Sequence, residues 1–212
     1  MVNLVDAILL EEEISMLSFN AYLLTEVKTD KHVVFAFGRM NPPTSGHEQL
    51  VRKIHSVAAT HKAAHVLTLS RSHDPKKNPL SPVDKLKHAK RAFPKTNINV
   101  ATKEMPAFVH HVKAFHKAGF DHLHMVAGSD RIADYHKILH AYNGKPDHWK
   151  FKSITMHSSG ARDPDSDGVD GISASKMREH AKAKNYDKFK AGAPSGLPDK
   201  HVRELYNDVN KS

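Results

Sequence analysis

Residues 33–51, VVFAFGRMNPPTSGHEQLV, decide how this chain is read. VVFAF (33–37) is a continuous apolar run, the pattern of a strand buried on both faces of a parallel sheet. It breaks at Gly38, passes Arg39, Met40, Asn41 and two prolines, and restarts through Thr44-Ser45-Gly46-His47. Leu50, Val51, Ile54, Val57 and Ala58 then share one face of a helix. Ser45 and Glu48 fit the S-x-x-E capping box, which predicts the helix start at Ser45. The amides and dipole of that first turn favour an anion. Gly38 and Gly46 permit a ligand to approach the backbone closely. His47 can give a charge-assisted hydrogen bond to a phosphate, and Arg39 offers a planar fork of donors. The same residues also suit a proline-stiffened loop before a capped helix, since neither a Walker loop nor G-x-G-x-x-G is present.

Working outward, strand and helix patterns alternate. Strands are predicted at 65–70, 97–101, 122–128 and 149–158, and helices at 46–60, 81–93, 106–119, 130–142, 173–184 and near 198–209. Ser81 reads as an N-cap with Pro82 at the first helical position. Alternation on this scale predicts an α/β fold: a Rossmann-like, doubly wound parallel sheet of about five strands with helices on both faces. Residues 1–30 read as a helical N-terminal appendage or leader, and 31–212 as one domain that includes the C-terminal helices.

The 212 residues suffice for one full-sized core. Cysteine is absent, which excludes disulfides, thiolate metal sites and cysteine nucleophiles. No apolar run approaches the roughly 18–20 residues of a membrane span. VDAILL (5–10) is flanked by acids and does not read as a secretory signal. The expected location is cytoplasmic. A net charge of +9, with 18 histidines besides, favours an anionic partner. Lys and Arg are spread along the chain rather than gathered in a block, which argues against a nucleic-acid-binding tail.

In an open parallel sheet, ligands sit at the carboxyl ends of the strands, where three further loops carry chemistry. GISASKMREH (171–180) offers Ser173 as an N-cap, with Ser175 and Arg178 three apart on one helical face. AGSDR (127–131) ends a strand and puts Asp130 at a helix start, where it suits an N-cap or an acceptor for hydroxyl and amino donors. SRSHDPKKNPLSP (70–82) follows a strand with Arg71, Lys76, Lys77 and Asn78. It reads as a mobile lid over phosphates or as a solvated basic loop. DPDSDG (163–168) begins like a calcium loop, but its twelfth position is Ala174 rather than a bidentate Glu. HHVKAFH (110–116) lacks an acidic partner for a metal site, and Trp149 reads as core.

Taken together, GRMNPPTSGH (38–47) and ISASKMR (172–178) resemble the two signatures of the nucleotidylyltransferase superfamily that carries the histidine–x–glycine–histidine motif. Thr44 stands at the first histidine position, and Ser175 replaces the threonine of isoleucine–serine–x–threonine–x–x–arginine. AGSDR is similar to the family's Gly-x-Asp segment. The 70–82 loop resembles the Asn-Pro loop of archaeal-type nicotinamide-mononucleotide adenylyltransferases and phage relatives. The resemblance spans roughly residues 32–185.

It implies transfer of a nucleoside monophosphate from a triphosphate to a phosphate-bearing acceptor with release of pyrophosphate. It favours ATP and nicotinamide mononucleotide, giving NAD. The alternatives are a CTP-dependent enzyme acting on a small alcohol phosphate, and a virion-packaged nucleotide-binding protein with little turnover. The implied catalytic residues are His47, Thr44, Arg39 and Arg178. Phe37, Gly38, Gly46, Gly128, Asp130, Ile172, Ser173 and Ser175 would hold the nucleotide, and Arg71, Lys76, Lys77 and Asn78 the phosphates or acceptor. Mg²⁺ would be held mainly by substrate phosphates. MLSFNAYLLTE (16–26) is similar to capsid-targeting leaders of large tailed phages, cut after a Leu/Ile-x-Glu such as Leu24-Thr25-Glu26. That reading would place the chain in a bacterial host and in the virion. The sequence leaves the oligomeric state open; a homo-oligomer is compatible.

Overall fold

The computed structural model describes residues 32–160 and 172–211. The leader reading, the Leu24-Thr25-Glu26 cleavage site and DPDSDG lie outside the described residues. Five parallel strands form one sheet: β1 (His32–Gly38), β2 (Ala64–Leu69), β3 (Ile98–Val100), β4 (His122–Ala127) and β5 (Ser153–Ser158). Their order is β3-β2-β1-β4-β5. The helices are α1 (Ser45–His61), α2 (Pro82–Ala92), α3 (Phe108–Lys117), α4 (Ser129–Tyr142), α5 (Ala174–Lys182), α6 (Tyr186–Ala191) and α7 (Asp199–Asn210). The expected doubly wound α/β architecture is the observed one. Among the described residues, no helix is long and apolar enough to cross a membrane.

β1 shows why its sequence is apolar throughout. Strand side chains alternate between faces, so Val33 and Phe35 enter one core with Val112, Phe115 and Leu139. Val34 and Ala36 enter the other, with Leu50, Ile54 and Ala89. Val33, Val34, Phe35 and Ala36 are all fully buried. Burying a residue of Val, Ile or Phe size stabilises the fold by about 1.5–3 kcal/mol each. A charge at any of these positions would therefore break the central strand. A third cluster joins Leu80 to Met177, Phe189, Val202 and Leu205, packing the C-terminal helices against the loop after β2.

Three local expectations change. β5 begins at Ser153 rather than 149 because the Asn143 side chain takes the Phe151 backbone, accepting from its N–H at 2.9 Å and donating to its carbonyl at 3.2 Å. Trp149 is core, as its sequence reading had it, and its indole N–H donates to the Leu139 carbonyl. The short helix α6 has no counterpart in the sequence reading; Asn185 caps it by accepting from the Lys188 amide. The third change is the start of α1, where Thr44 rather than Ser45 is the N-cap, in extended conformation.

The strand order places a topological switch between β1 and β4. There the connections leave in opposite directions and open a crevice at the carboxyl ends of the strands.

Candidate functional site

A cavity of about 510 Å³ occupies that crevice. Phe37, Gly38 and Arg39 from the end of β1 line it, and Val126, Ala127 and Gly128 from β4 face them. His47, Asp130, Arg131 and Tyr135 complete its polar wall. A smaller chamber of about 190 Å³ adjoins it, lined by Lys77, Asn78, Ser173, Ser175 and Arg178. Arg39, Met40 and His47 border both chambers. The two signature segments, far apart in the chain, thus meet across one cleft. Met40 is buried and left-handed, at φ 42°, a conformation that costs a non-glycine residue and recurs at functional turns.

His47 is the residue most tightly specified. Because Thr44 is the N-cap, His47 falls at the third helical position and folds back on the cap. The Thr44 N–H donates to His47 Nδ1 at 3.0 Å, and the Thr44 hydroxyl lies 2.9 Å from the same nitrogen. A backbone N–H can only donate, so Nδ1 must be the unprotonated nitrogen and Nε2 carries the hydrogen. The ring is thus held by Nδ1 against the helix start. Thr44 is 1% exposed. Its hydroxyl is directed at the imidazole, which makes it a positioning residue for His47.

The shift of one residue also changes Glu48. Its carboxylate leaves the helix start and accepts from the Ser195 amide and hydroxyl, the latter at 2.8 Å. The Ser45 amide donates to the Gly192 carbonyl and the His47 amide to the Thr44 carbonyl. The amides of Thr44, Ser45 and His47 are therefore engaged within the fold. An anion in this cleft would therefore meet side chains more than the helix-start amides that the sequence suggested.

Those side chains are cationic. Arg178 donates to the Asn41 carbonyl at 2.7 Å and to the Ser175 hydroxyl at 2.9 Å. Burial, then the neighbouring Arg39 charge, hold its pKa below the usual range. Ser173 caps α5 by accepting from the Lys176 amide, as expected. Asp130 lies in the first turn of α4, whose N-cap is Gly128, so it is not the cap and faces the larger chamber. Ile172 packs with Met177 in the C-terminal core, and Gly46 sits half-buried in the first turn of α1.

The loop after β2, which the sequence offers as a mobile lid or a solvated basic loop, is tied together by its own hydrogen bonds. Asp74 accepts from the Lys76 and Lys77 amides and from the Asn78 side chain. Asn41 clamps its base, donating to the Leu80 carbonyl and accepting from the Leu80 amide, both at 3.0 Å. His73 and the tip, Pro75–Lys77, are exposed. Lys77 reaches the smaller chamber, Lys76 projects from the tip, and Arg71 is half-buried nearby.

Two residues went unnoticed in the sequence. Asn41 ties the first signature to both the Leu80 loop and Arg178. Lys85, on α2, is fully buried and donates to the carbonyls of Ser70 and Ser72. The available signal was its spacing: Lys85, His88 and Ala89 form the buried face of α2. Burial, then the charges of Arg71 and Arg39, push the Lys85 pKa down to about 8 from the ordinary 10.5. Unfolded chains still hold this proton between those values, so the burial penalty is full below pH 8 and fades as pH rises toward 10.5. The wild-type Tm, measured relative to Lys85→Met without ligand, is expected to rise between pH 7.5 and pH 10. A constant difference would mean that Lys85 titrates normally.

The 110–116 histidines do not form a metal set. His111 is buried on the Met105 carbonyl, with its pKa pushed down to about 4 by burial, and His116 packs on Phe151. For Mg²⁺, the larger chamber offers one carboxylate, Asp130, and the smaller none among the described residues. That donor set suits an ion arriving with phosphates and water rather than one caged by protein.

No protein-family model matches the chain, and no curated protein matches it significantly. Among solved structures, TmcAL of Thermotoga maritima bound with alpha-thio ATP aligns over 85% of this chain at 12% identity and a TM-score of 0.49. This chain spans 56% of that protein's length.

Proposed function

We propose that the chain is a nucleotidylyltransferase, joining a nucleoside monophosphate from a triphosphate to a phosphate-bearing acceptor. The observation that carries this reading is the pair of adjoining chambers, both lined by Arg39 and by His47, whose ring Thr44 orients. The larger chamber suits a nucleoside. Its mixed wall of Phe37, Leu50, Val126 and Tyr135 is apolar, and Asp130 is available for hydroxyl or amino donors. The smaller, with Lys77, Arg178 and Ser175, suits a phosphate chain. The charges of Arg71 and Arg39 disfavour the charged form of Lys85, and that of Arg39 the charged form of Arg178, a cost that an anionic ligand would relieve.

An acceptor phosphate oxygen attacks the α-phosphorus in line. The bond from that phosphorus to the bridging oxygen breaks, and pyrophosphate leaves with the electron pair. An ionised phosphate needs no general base, so positioning and charge neutralisation supply the catalysis. His47 Nε2–H and Arg39 meet the α-phosphate, while Arg178, Ser175 and Lys77 hold the β- and γ-phosphates. Mg²⁺, brought by the triphosphate, would neutralise charge on the leaving pyrophosphate. The larger cavity continues past Phe37, Arg131 and Tyr135 into a space of about 520 Å³, and the acceptor enters there.

ATP with nicotinamide mononucleotide is the favoured pair. This choice rests on the resemblance of the Gly38-Arg39 turn, the Asn78-Pro79 loop and the Gly128–Arg131 segment. The purified protein, incubated with each triphosphate and acceptor in the presence of Mg²⁺, should release pyrophosphate with that pair above all others. Release only with CTP and an alcohol phosphate would change the substrate assignment. No release with any pair, despite nucleotide binding, would replace the enzyme with a binding protein.

A further inference from the structure

At the opposite edge of the sheet, the rings of five histidines converge. His32 opens β1 and His122 opens β4; the register pairs them, and their rings stack at 4.2 Å. His124 lies two residues on, on the same face. α1 runs back along the strands, so its last residue, His61, arrives at the same edge and stacks on His124 at 4.0 Å. His157 of β5 reaches the far side of His124. β1 is seven residues long, which at about 3.3 Å per residue puts this edge roughly 20 Å from the cleft.

We propose that His32, His61 and His124 form a binding site for a borderline transition-metal ion, Zn²⁺ being the type, that staples β1, β4 and the end of α1. One ring nitrogen from each lies within 4.8 Å of the other two. A tetrahedral Zn²⁺ with bonds of about 2.0–2.1 Å needs its nitrogens about 3.3 Å apart. His32 Nδ1 and His124 Nε2, at 3.0 Å, already meet that spacing. Rotation of His61, half-buried at the helix end, brings in the third ligand in exchange for its stacking. His32 and His61 are half-buried, and water would complete the coordination.

His124 is prepared for the role. It is buried, and its Nδ1 lies 3.1 Å from His157 Nε2. With the proton on Nδ1, that contact directs the Nε2 lone pair into the site, as outer partners commonly orient metal-bound histidines. Burial, then the rings of His61, His157, His32 and His122, push its pKa down to about 4. Hard cations such as Mg²⁺ prefer oxygen and do not suit this set.

The test uses untagged, metal-stripped protein titrated with Zn²⁺ by calorimetry and followed by thermal unfolding. One equivalent should bind and raise Tm, and Co²⁺ should give the visible absorption of a four-coordinate site. His61→Asn, at a half-exposed position that leaves the core intact, should weaken Zn²⁺ at least tenfold. His157→Asn should weaken it about tenfold through orientation alone. His136→Asn, in the separate His136–His140 pair on α4, should change nothing. Absence of a Tm shift at tenfold excess Zn²⁺ would overturn the site, as would an unchanged titration in His61→Asn. Neither readout depends on turnover.

Discussion

His47→Ala is expected to lower kcat at least tenfold, and on the order of 10²-fold, while the protein stays folded. The geometry gives the reason. The Thr44 amide holds Nδ1, so the Nε2–H donor is fixed before any ligand arrives, on the wall common to the two chambers. Removing one preorganised donor aimed at developing charge typically slows an acyl or phosphoryl transfer by about 10²–10³-fold. The folding cost is smaller. Loss of the ring leaves the buried Thr44 amide without that acceptor, worth about 1–3 kcal/mol. His47→Gln separates the two effects, because glutamine at the third helical position can rebuild the capping box. It should restore stability without restoring the imidazole's rate. Thr44→Val keeps the backbone donor and loses only the hydroxyl, so its effect on kcat should be much smaller than that of His47→Ala. A folded His47→Ala protein with unchanged turnover would sink the assignment of nucleotidylyl transfer to this cleft.

The parts of this molecule that were legible in the sequence are those set by local chemistry. The unbroken apolar run of β1 requires both faces covered, and the Ser81-Pro82 and Ser173 helix starts depend on residues within three positions. These features stand where the pattern put them. The start of α1 shows the limit. Thr44 and Ser45 are adjacent hydroxyl residues, and either can cap. Local preference chose Ser45 with Glu48, but tertiary contacts decide otherwise, since Glu48 is wanted by Ser195 and the Ser45 amide by Gly192. The consequence is chemical, because the shift makes His47 the reciprocal capping partner and fixes its tautomer.

Long-range polar ties were illegible for the same reason. Asn41 joins two loops and Arg178 through contacts made only after folding. Lys85 lies on a helix face that becomes the buried one only when α2 packs. The histidines were a compositional excess without explanation. Strand register and the antiparallel run of α1 bring His32, His61, His122, His124 and His157 together, and no spacing along the chain announces that.

Arg178→Ala should raise KM for the triphosphate about 10- to 100-fold, because a hydrogen bond to a charged group is worth about 1.5–3 kcal/mol. Arg178 has two duties. Two of its donors hold Asn41 and Ser175, and the residue lines the smaller chamber. Removing it would therefore loosen the joint between the signatures as well as the proposed phosphate contact. Arg178→Lys tells these apart. A single ammonium keeps the charge but cannot reach Asn41 and Ser175 while also presenting a fork to phosphate. It should recover part of the affinity and little of kcat, which depends on how α5 is set against the Asn41 turn. Pyrophosphate gives a readout free of turnover. It should raise the wild-type Tm, with the shift shrinking as salt rises because exposed charges are screened. The shift should be largely lost in Arg178→Ala. Salt-insensitive stabilisation of that variant by pyrophosphate, together with an unchanged KM, would place the phosphate chain elsewhere and leave Arg178 as a structural tie.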